Sequence, residues 1–185
     1  MTTAAGIRKY FIGIIPPSPV FEQVLEVKTF FRDHYQSKAA LNSPPHITLH
    51  MPFEWKEKKE DELTSQLKKF SSTQLSFNLS LAGFSCFPPR VIFIEVQESE
   101  PLMQMQKQLH RFCKVELNLF NAQYQDRPFH PHLTVAFRDL KKTAFQQAWD
   151  EFKDKKFHTE FQVTDIVLLK HEGKKWQPFK VFWLA

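Results

Sequence analysis

The chain carries one short pattern twice, Pro45-His46-Ile47-Thr48-Leu49 in its first half and Pro131-His132-Leu133-Thr134-Val135 in its second. Both copies sit in strand-like runs, and on an extended chain alternate side chains point to the same side. His46 and Thr48 therefore share one face while Ile47 and Leu49 take the other, and His132 and Thr134 are set against Leu133 and Val135 in the same way. A fold that places the two strands side by side gathers two imidazoles and two hydroxyls over one cleft and sends the apolar residues into a core. Few arrangements of a chain meet both demands.

The segments around the motifs repeat as well. A buried strand is predicted over 10–15, stopped by Pro16-Pro17. Ser18 and Pro19 open a helix that reaches about Tyr35, with Val20, Leu25, Val27 and Phe31 inward. The first motif strand covers 46–53, and a charged stretch from Glu54 to Glu62 leads into a helix with Leu63, Leu67 and Phe70 inward. Leu75 to Leu81 alternates as a half-buried strand that Gly83 breaks. The second half offers a strand over 91–96, a helix from Glu100 to about Leu119, a polar loop over 123–128 and the second motif strand over 132–137. A helix from Lys142 to Lys153 follows, then strands over 161–169 and 176–183 joined across His171-Glu172-Gly173-Lys174, where the glycine accepts positive φ.

Both halves thus run strand, helix, motif strand, helix, strand, and 29 residues separate the motif histidine from the next strand in each. The pattern predicts an α+β fold: two pseudo-symmetric lobes of mainly antiparallel sheet with outer helices around a central cleft. One bilobal domain over 1–185 is expected, with lobe one about 10–86, lobe two about 90–185 and an internal duplication between them.

Twenty phenylalanines and 42% apolar residues supply a core and exclude a disordered body. The net charge of +5 favours an anionic partner. The mixed-sign runs Lys56 to Glu62 and Lys153 to Lys156 nonetheless read as solvated surface and not as a nucleic-acid patch. Cys86 and Cys113 form no CxxC and no zinc-like spacing, so both are expected as free thiols in a reducing compartment. The first nine residues lack the apolar stretch of a signal peptide and no run reaches membrane-spanning length, so a cytoplasmic location without a membrane partner is expected.

A single histidine in a strand is usually structural, but two in matched frames suit acid–base chemistry. One imidazole takes a proton from an attacking oxygen while the other gives one to the departing oxygen, each role being worth roughly 10² to 10⁴ in rate. Hydroxyls two residues further on, Thr48 and Thr134, can grip the non-bridging oxygens of a phosphate as charge builds there. His50 and His130 have no counterpart in the other half and read as supporting or surface groups. His130 and His132 with His46 also raise a zinc alternative, against which stands the lack of a carboxylate in either motif. No metal and no other cofactor is expected.

At these residues the chain resembles the two-histidine (2H) phosphoesterase superfamily, with its paired His-x-Thr/Ser-hydrophobic motifs in pseudo-symmetric, LigT-like lobes. It looks most like the bacterial branch called RNA 2′,3′-cyclic phosphodiesterase or 2′-5′ RNA ligase, and the likeness spans nearly the whole chain. The resemblance implies a hydrolase that opens 2′,3′-cyclic phosphates to 2′-phosphates, with reversible 2′-5′ joining of RNA ends in some members. It implies His46 as proton donor, His132 as acceptor, and RNA ends or a small nucleotide phosphoester as partner. The chain departs from better-known members in having Pro44 where a basic residue often precedes the first motif, and Phe137 before Arg138 where an arginine often follows the second. A monomer that does not bind DNA is expected, and a non-catalytic module holding a nucleotide or RNA end in the same cleft is the alternative. The segment Phe84 to Arg90 reads as the linker between halves, from which Arg90 could hold a phosphate and Phe87, or Phe53 from the first motif strand, could stack on a base.

Overall fold

The computed structural model describes residues 6–120 and 128–185. In chain order they form β1 (Ile7–Ile14), α1 (Val20–Tyr35), β2 (Ile47–Lys56), α2 (Glu60–Ser71), β3 (Phe77–Phe87), β4 (Val91–Val96), α3 (Glu100–Glu116), β5 (His132–Ala136), α4 (Lys142–Phe152), β6 (His158–Val163), β7 (Asp165–Glu172) and β8 (Lys175–Trp183). The strands make two four-stranded sheets, ordered β2-β1-β7-β8 and β5-β4-β3-β6. Every pairing is antiparallel. The fold is the α+β architecture expected, and each motif strand lies at the edge of its sheet. The polar loop predicted over 123–128 lies, apart from Pro128, outside the described residues.

One face of each sheet feeds a single core. Tyr10, Ile12 and Ile14 of β1, Ile47 and Leu49 of β2, Ile92 and Ile94 of β4, and Leu133 and Val135 of β5 join one cluster of buried side chains that spans both sheets. Helices with apolar stripes close it, because burying such a stripe is what holds a helix this short. The Phe31 ring of α1 lies 4.7 Å from Phe152 of α4, and Phe70 of α2 lies 5.1 Å from Phe112 of α3. Among the described residues no helix is long and apolar enough to cross a membrane.

The strands do not sort by halves of the chain, and the lobe boundary predicted near 86–90 is corrected. β7 and β8 come from the second half yet complete the sheet of β1 and β2, while β3 from the first half pairs with β4 and β6. β3 does not stop at Gly83. That residue takes φ +74, donates its backbone N–H to the Phe157 carbonyl at 2.7 Å and bends the strand at a register shift between Leu81 and Phe84. Glycine accommodates the positive φ, so the strand continues to Phe87 and turns directly into β4. The predicted linker is therefore the end of a hairpin.

The single strand predicted over 161–169 is two strands in different sheets. Phe161 and Val163 are buried in alternation on β6, whereas Ile166 to Leu169 on β7 are buried without interruption. Thr164 is the crossing point, and its carbonyl accepts the Leu184 N–H at 2.8 Å.

Candidate active site

β1 aligns the first motif strand, with Gly13 opposite Thr48 and Ile14 opposite Ile47. β4 aligns the second, with Phe93 opposite Thr134 and Glu95 opposite His132. In both motifs the alternation predicted from sequence holds: His46, Thr48, His132 and Thr134 are half-buried while Ile47, Leu49, Leu133 and Val135 are buried. The edges β2 and β5 approach each other where the sheets adjoin. A positive charge on His132 opposes protonation of His46.

The rings are held in the same way. His46 Nδ1 lies 2.8 Å from the Pro44 carbonyl oxygen, and His132 Nδ1 lies 2.7 Å from that of His130. A carbonyl only accepts, so each Nδ1 carries the proton and each Nε2 keeps its lone pair. Burial holds the pKa of His46 down to about 4, helped by the charges of Lys28 and His132 and opposed by the bond to Pro44. Burial also lowers His132, with the bond to the His130 carbonyl raising it and the His130 charge lowering it. Both rings are thus neutral proton acceptors at pH 7 before an anion binds, and an anion between them favours the charged form and raises both.

Aromatic rings wall each histidine. Phe11 lies 4.7 Å from the His46 ring and 4.8 Å from Trp176, and Trp176 lies 4.8 Å from His171. Phe11 and Trp176 belong to a small apolar cluster with Val167, Leu169 and Ile15, separate from the main core. On the other sheet Phe93 and Phe87 stand 5.1 Å and 5.4 Å from His132. Phe87, one of the residues read from the sequence, is exposed beside that motif histidine. Phe53 is not: it is buried in the main core, 6.0 Å from Tyr10, because β2 reaches that position on its core face. Arg90 is exposed and donates to the Arg138 carbonyl at 3.4 Å, so it lies beside the loop that follows the second motif.

His50 is also corrected. Sequence alternation puts it in the frame of His46 and Thr48, but a register shift leaves Leu49 unpaired and sets His50 opposite core residue Ile12. The extra residue turns the ring inward, where it is 3% exposed. His130 is exposed, and its backbone carbonyl, not its ring, makes the bond that orients His132.

Two important groups escaped the sequence reading. Lys28 sits in the buried stripe of α1 with Val20, Val24 and Phe31, in place of the Leu25 and Val27 positions predicted. Its Nζ donates to the Ser43 carbonyl at 3.0 Å and the Pro44 carbonyl at 3.2 Å. Asp139, just beyond β5, accepts from Ser37 Oγ at 2.9 Å and from the Lys38 and Ala39 N–H groups at 2.8 Å each. The stripe's spacing of four, four and three residues was a usable signal for Lys28, and nothing in the sequence marked Asp139.

Among the described residues, a cavity of about 520 Å³ lies between α2 and β8, away from the motif histidines. Among the described residues no group of three or more His, Cys, Asp or Glu side chains is placed to hold a metal ion.

The family model described as "2'-5' RNA ligase superfamily" matches residues 16–175. A protein of Geobacillus thermodenitrificans (strain NG80-2) named "Putative phosphoesterase" is 30% identical over 177 residues, covering 94% of this chain and 95% of that one. A Geobacillus kaustophilus (strain HTA426) protein of the same designation is 29% identical over 177 residues with the same coverage. Among solved structures, E. coli LigT complexed with 3′-AMP superposes with a TM-score of 0.71 at 22% identity, covering 97% of this chain and 99% of that one. That likeness concerns the fold.

Proposed function

The chain belongs to the 2′-5′ RNA ligase superfamily, and from that premise we propose that it is a phosphoesterase that opens 2′,3′-cyclic phosphates of RNA ends or nucleotides to 2′-phosphates without a metal. The observation that carries this reading is the pair of motif imidazoles fixed by backbone carbonyls in one tautomer, each with a free Nε2. Binding alone does not call for two titrating groups oriented alike.

An anionic phosphodiester between the rings raises both pKa values, and one ring takes up a proton. The neutral ring then accepts the proton of a water as that oxygen attacks phosphorus in line. As the P–O3′ bond breaks, the imidazolium gives its proton to O3′, leaving a 2′-phosphate and a 3′-hydroxyl. The Thr48 and Thr134 hydroxyls donate to the non-bridging oxygens while charge builds on them. With a 5′-hydroxyl in place of water, the same site joins two RNA ends through a 2′-5′ linkage. A nucleotide is favoured as substrate by the rings of Trp176, which packs on Phe11 beside His46, and Phe87, beside His132, each of which offers a face for a base. The related fold of LigT holds 3′-AMP.

The test is turnover of nucleoside 2′,3′-cyclic phosphates and of oligonucleotides ending in a cyclic phosphate. His46→Ala and His132→Ala are each expected to lower kcat by about 10² or more, and activity is expected to survive a strong chelator. Equal inertness of the unmodified chain and both variants refutes the reading. Tight binding without turnover makes the protein a nucleotide or RNA-end binding module.

A further inference from the structure

Trp183 leaves 68% of its surface open to solvent and Val181 leaves 42%, while Phe182 between them is buried in the main core. Alternation along β8 therefore sets the indole and the valine on one side of the strand and Phe182 on the other. Among the described residues β8 is the last strand of its sheet. An edge strand turns every second N–H and C=O away from its neighbour, which makes it a template for another extended chain. Pro178 and the bulge between Leu168 and Leu169 blunt the first part of this edge. From Lys180 to Trp183 the pairing with β7 is regular, and no proline interrupts it.

Beside that regular stretch lies the cavity of about 520 Å³, walled by Asp61 and Lys68 of α2 and by Lys180, Val181, Phe182 and Trp183 of β8. The walls are tied together just beyond their ends: the Ala185 N–H donates to the Gln74 carbonyl at 2.7 Å, and the Ser76 N–H to the Ala185 carbonyl at 3.3 Å. Gly6, which accepts from the Glu57 N–H, and Phe120, which shares a cavity with Pro52, Phe53 and Glu54, both lie on the β1–β2 side of the sheet and not at this edge.

We propose that the groove between α2 and the β8 edge is a docking site for an extended peptide of alternating apolar and acidic residues, which adds to the sheet as a strand beside residues 180–183. Such a strand supplies acceptors for the outward N–H groups and donors for the outward carbonyls. Its apolar side chains cover Val181 and Trp183. Its carboxylates point the other way, toward exposed Lys68 and toward Lys180, which sits opposite core residue Leu168 and so shares the Phe182 side. Two lysines against one aspartate leave the groove cationic, in keeping with the chain's net +5. A single-stranded nucleic acid fits less well, because Asp61 opposes its phosphates and it offers the carbonyls few donors. A second copy of the chain brings its own Lys180 against the same lysines.

The experiment titrates the full chain by calorimetry with a synthetic octapeptide of alternating valine and glutamate. Two further peptides are run beside it, one with a central proline and one with lysine for every glutamate. The acidic peptide is expected to bind at least about 10-fold tighter than either, because proline removes a ladder donor and lysine meets like charge. On binding, amide hydrogen exchange is expected to slow at 180–183. Trp183→Ala is expected to weaken binding by about 10-fold, and Lys68→Glu combined with Lys180→Glu to abolish the preference for the acidic peptide. All three side chains are exposed, and the comparison of peptides on the unmodified chain decides without any variant. No binding of the acidic peptide, or equal binding of the proline peptide, overturns the proposal. A dimer in sedimentation that Trp183→Ala dissolves makes the occupant a second copy and overturns it too. So does a tighter hold on a poly(U) strand than on the acidic peptide, lost in Lys68→Glu.

Discussion

Gly13 stands opposite Thr48, and a Cβ built on it would lie 2.7 Å from the Ile47 carbonyl oxygen. Real Cβ atoms do not approach backbone oxygen so closely, so β2 packs against β1 at the first motif only because position 13 has no side chain. The backbone there does not need positive φ; closeness alone demands glycine. Gly13→Ala is expected to push the His46–Thr48 segment away, lowering stability by about 1–3 kcal/mol and kcat by about 10-fold or more through misplacement of the ring. Thermal melts and steady-state kinetics check both. At this scale the sequence was readable wherever period-2 alternation ran undisturbed, as from His46 to Leu49 and from His132 to Val135. It failed where a bulge breaks the period, which sent His50 inward, and where a charged side chain fills an apolar place, as Lys28 does. Bulges and buried cations are settled by partners distant in the chain, here Ile12 and the Ser43–Pro44 carbonyls.

Between elements, Asp139 acts as a clasp. The loop after β5 reaches the turn that follows α1, and one carboxylate collects a hydroxyl and two backbone N–H groups there. Because α1 leads to the first motif and β5 carries the second, this carboxylate fixes one motif relative to the other. Hydrogen bonds to a charged acceptor contribute about 1.5–3 kcal/mol each, and a donor that is buried and left unpaired costs more than one that water can reach. Asp139→Ala is therefore expected to lower stability by about 2–4 kcal/mol, and to reduce kcat more than it raises KM as the two rings lose alignment. Urea unfolding and kinetics at saturating substrate separate these effects. The helices themselves were legible because each carries a stripe at the expected spacing. The strand ends were not, since whether Gly83 stops a strand or bends it is decided by the Phe157 carbonyl that its N–H meets.

The whole molecule is woven rather than stacked. The first sheet takes β1 and β2 from the beginning of the chain and β7 and β8 from its end, while β3 to β6 make up the second. Matched intervals around the motifs were visible in the sequence, but they follow chain order, and β3 and β6, which they align, pair with each other in one sheet. Cutting the chain near residue 88 leaves neither piece with a full sheet. Fragments 1–88 and 89–185 are each expected to show no cooperative melt when expressed alone, and circular dichroism with thermal scans of each measures this. Two independently melting fragments would contradict the interleaving.

The crossing at Thr164 also sets a schedule. A growing chain that has emerged only as far as Val163 holds every strand of one sheet but just two of the other, and the pairing of Phe11 with Leu169 must span nearly the entire length of the polypeptide. Contacts of such range are slow to form because the intervening loop must first be closed. The indole of Trp176, which lies against the ring beside His46, arrives with the final hairpin. Synthesis therefore delivers the floor beneath the first histidine last, and a ribosome stalled before that hairpin would carry both His-x-Thr motifs without the indole that backs Phe11.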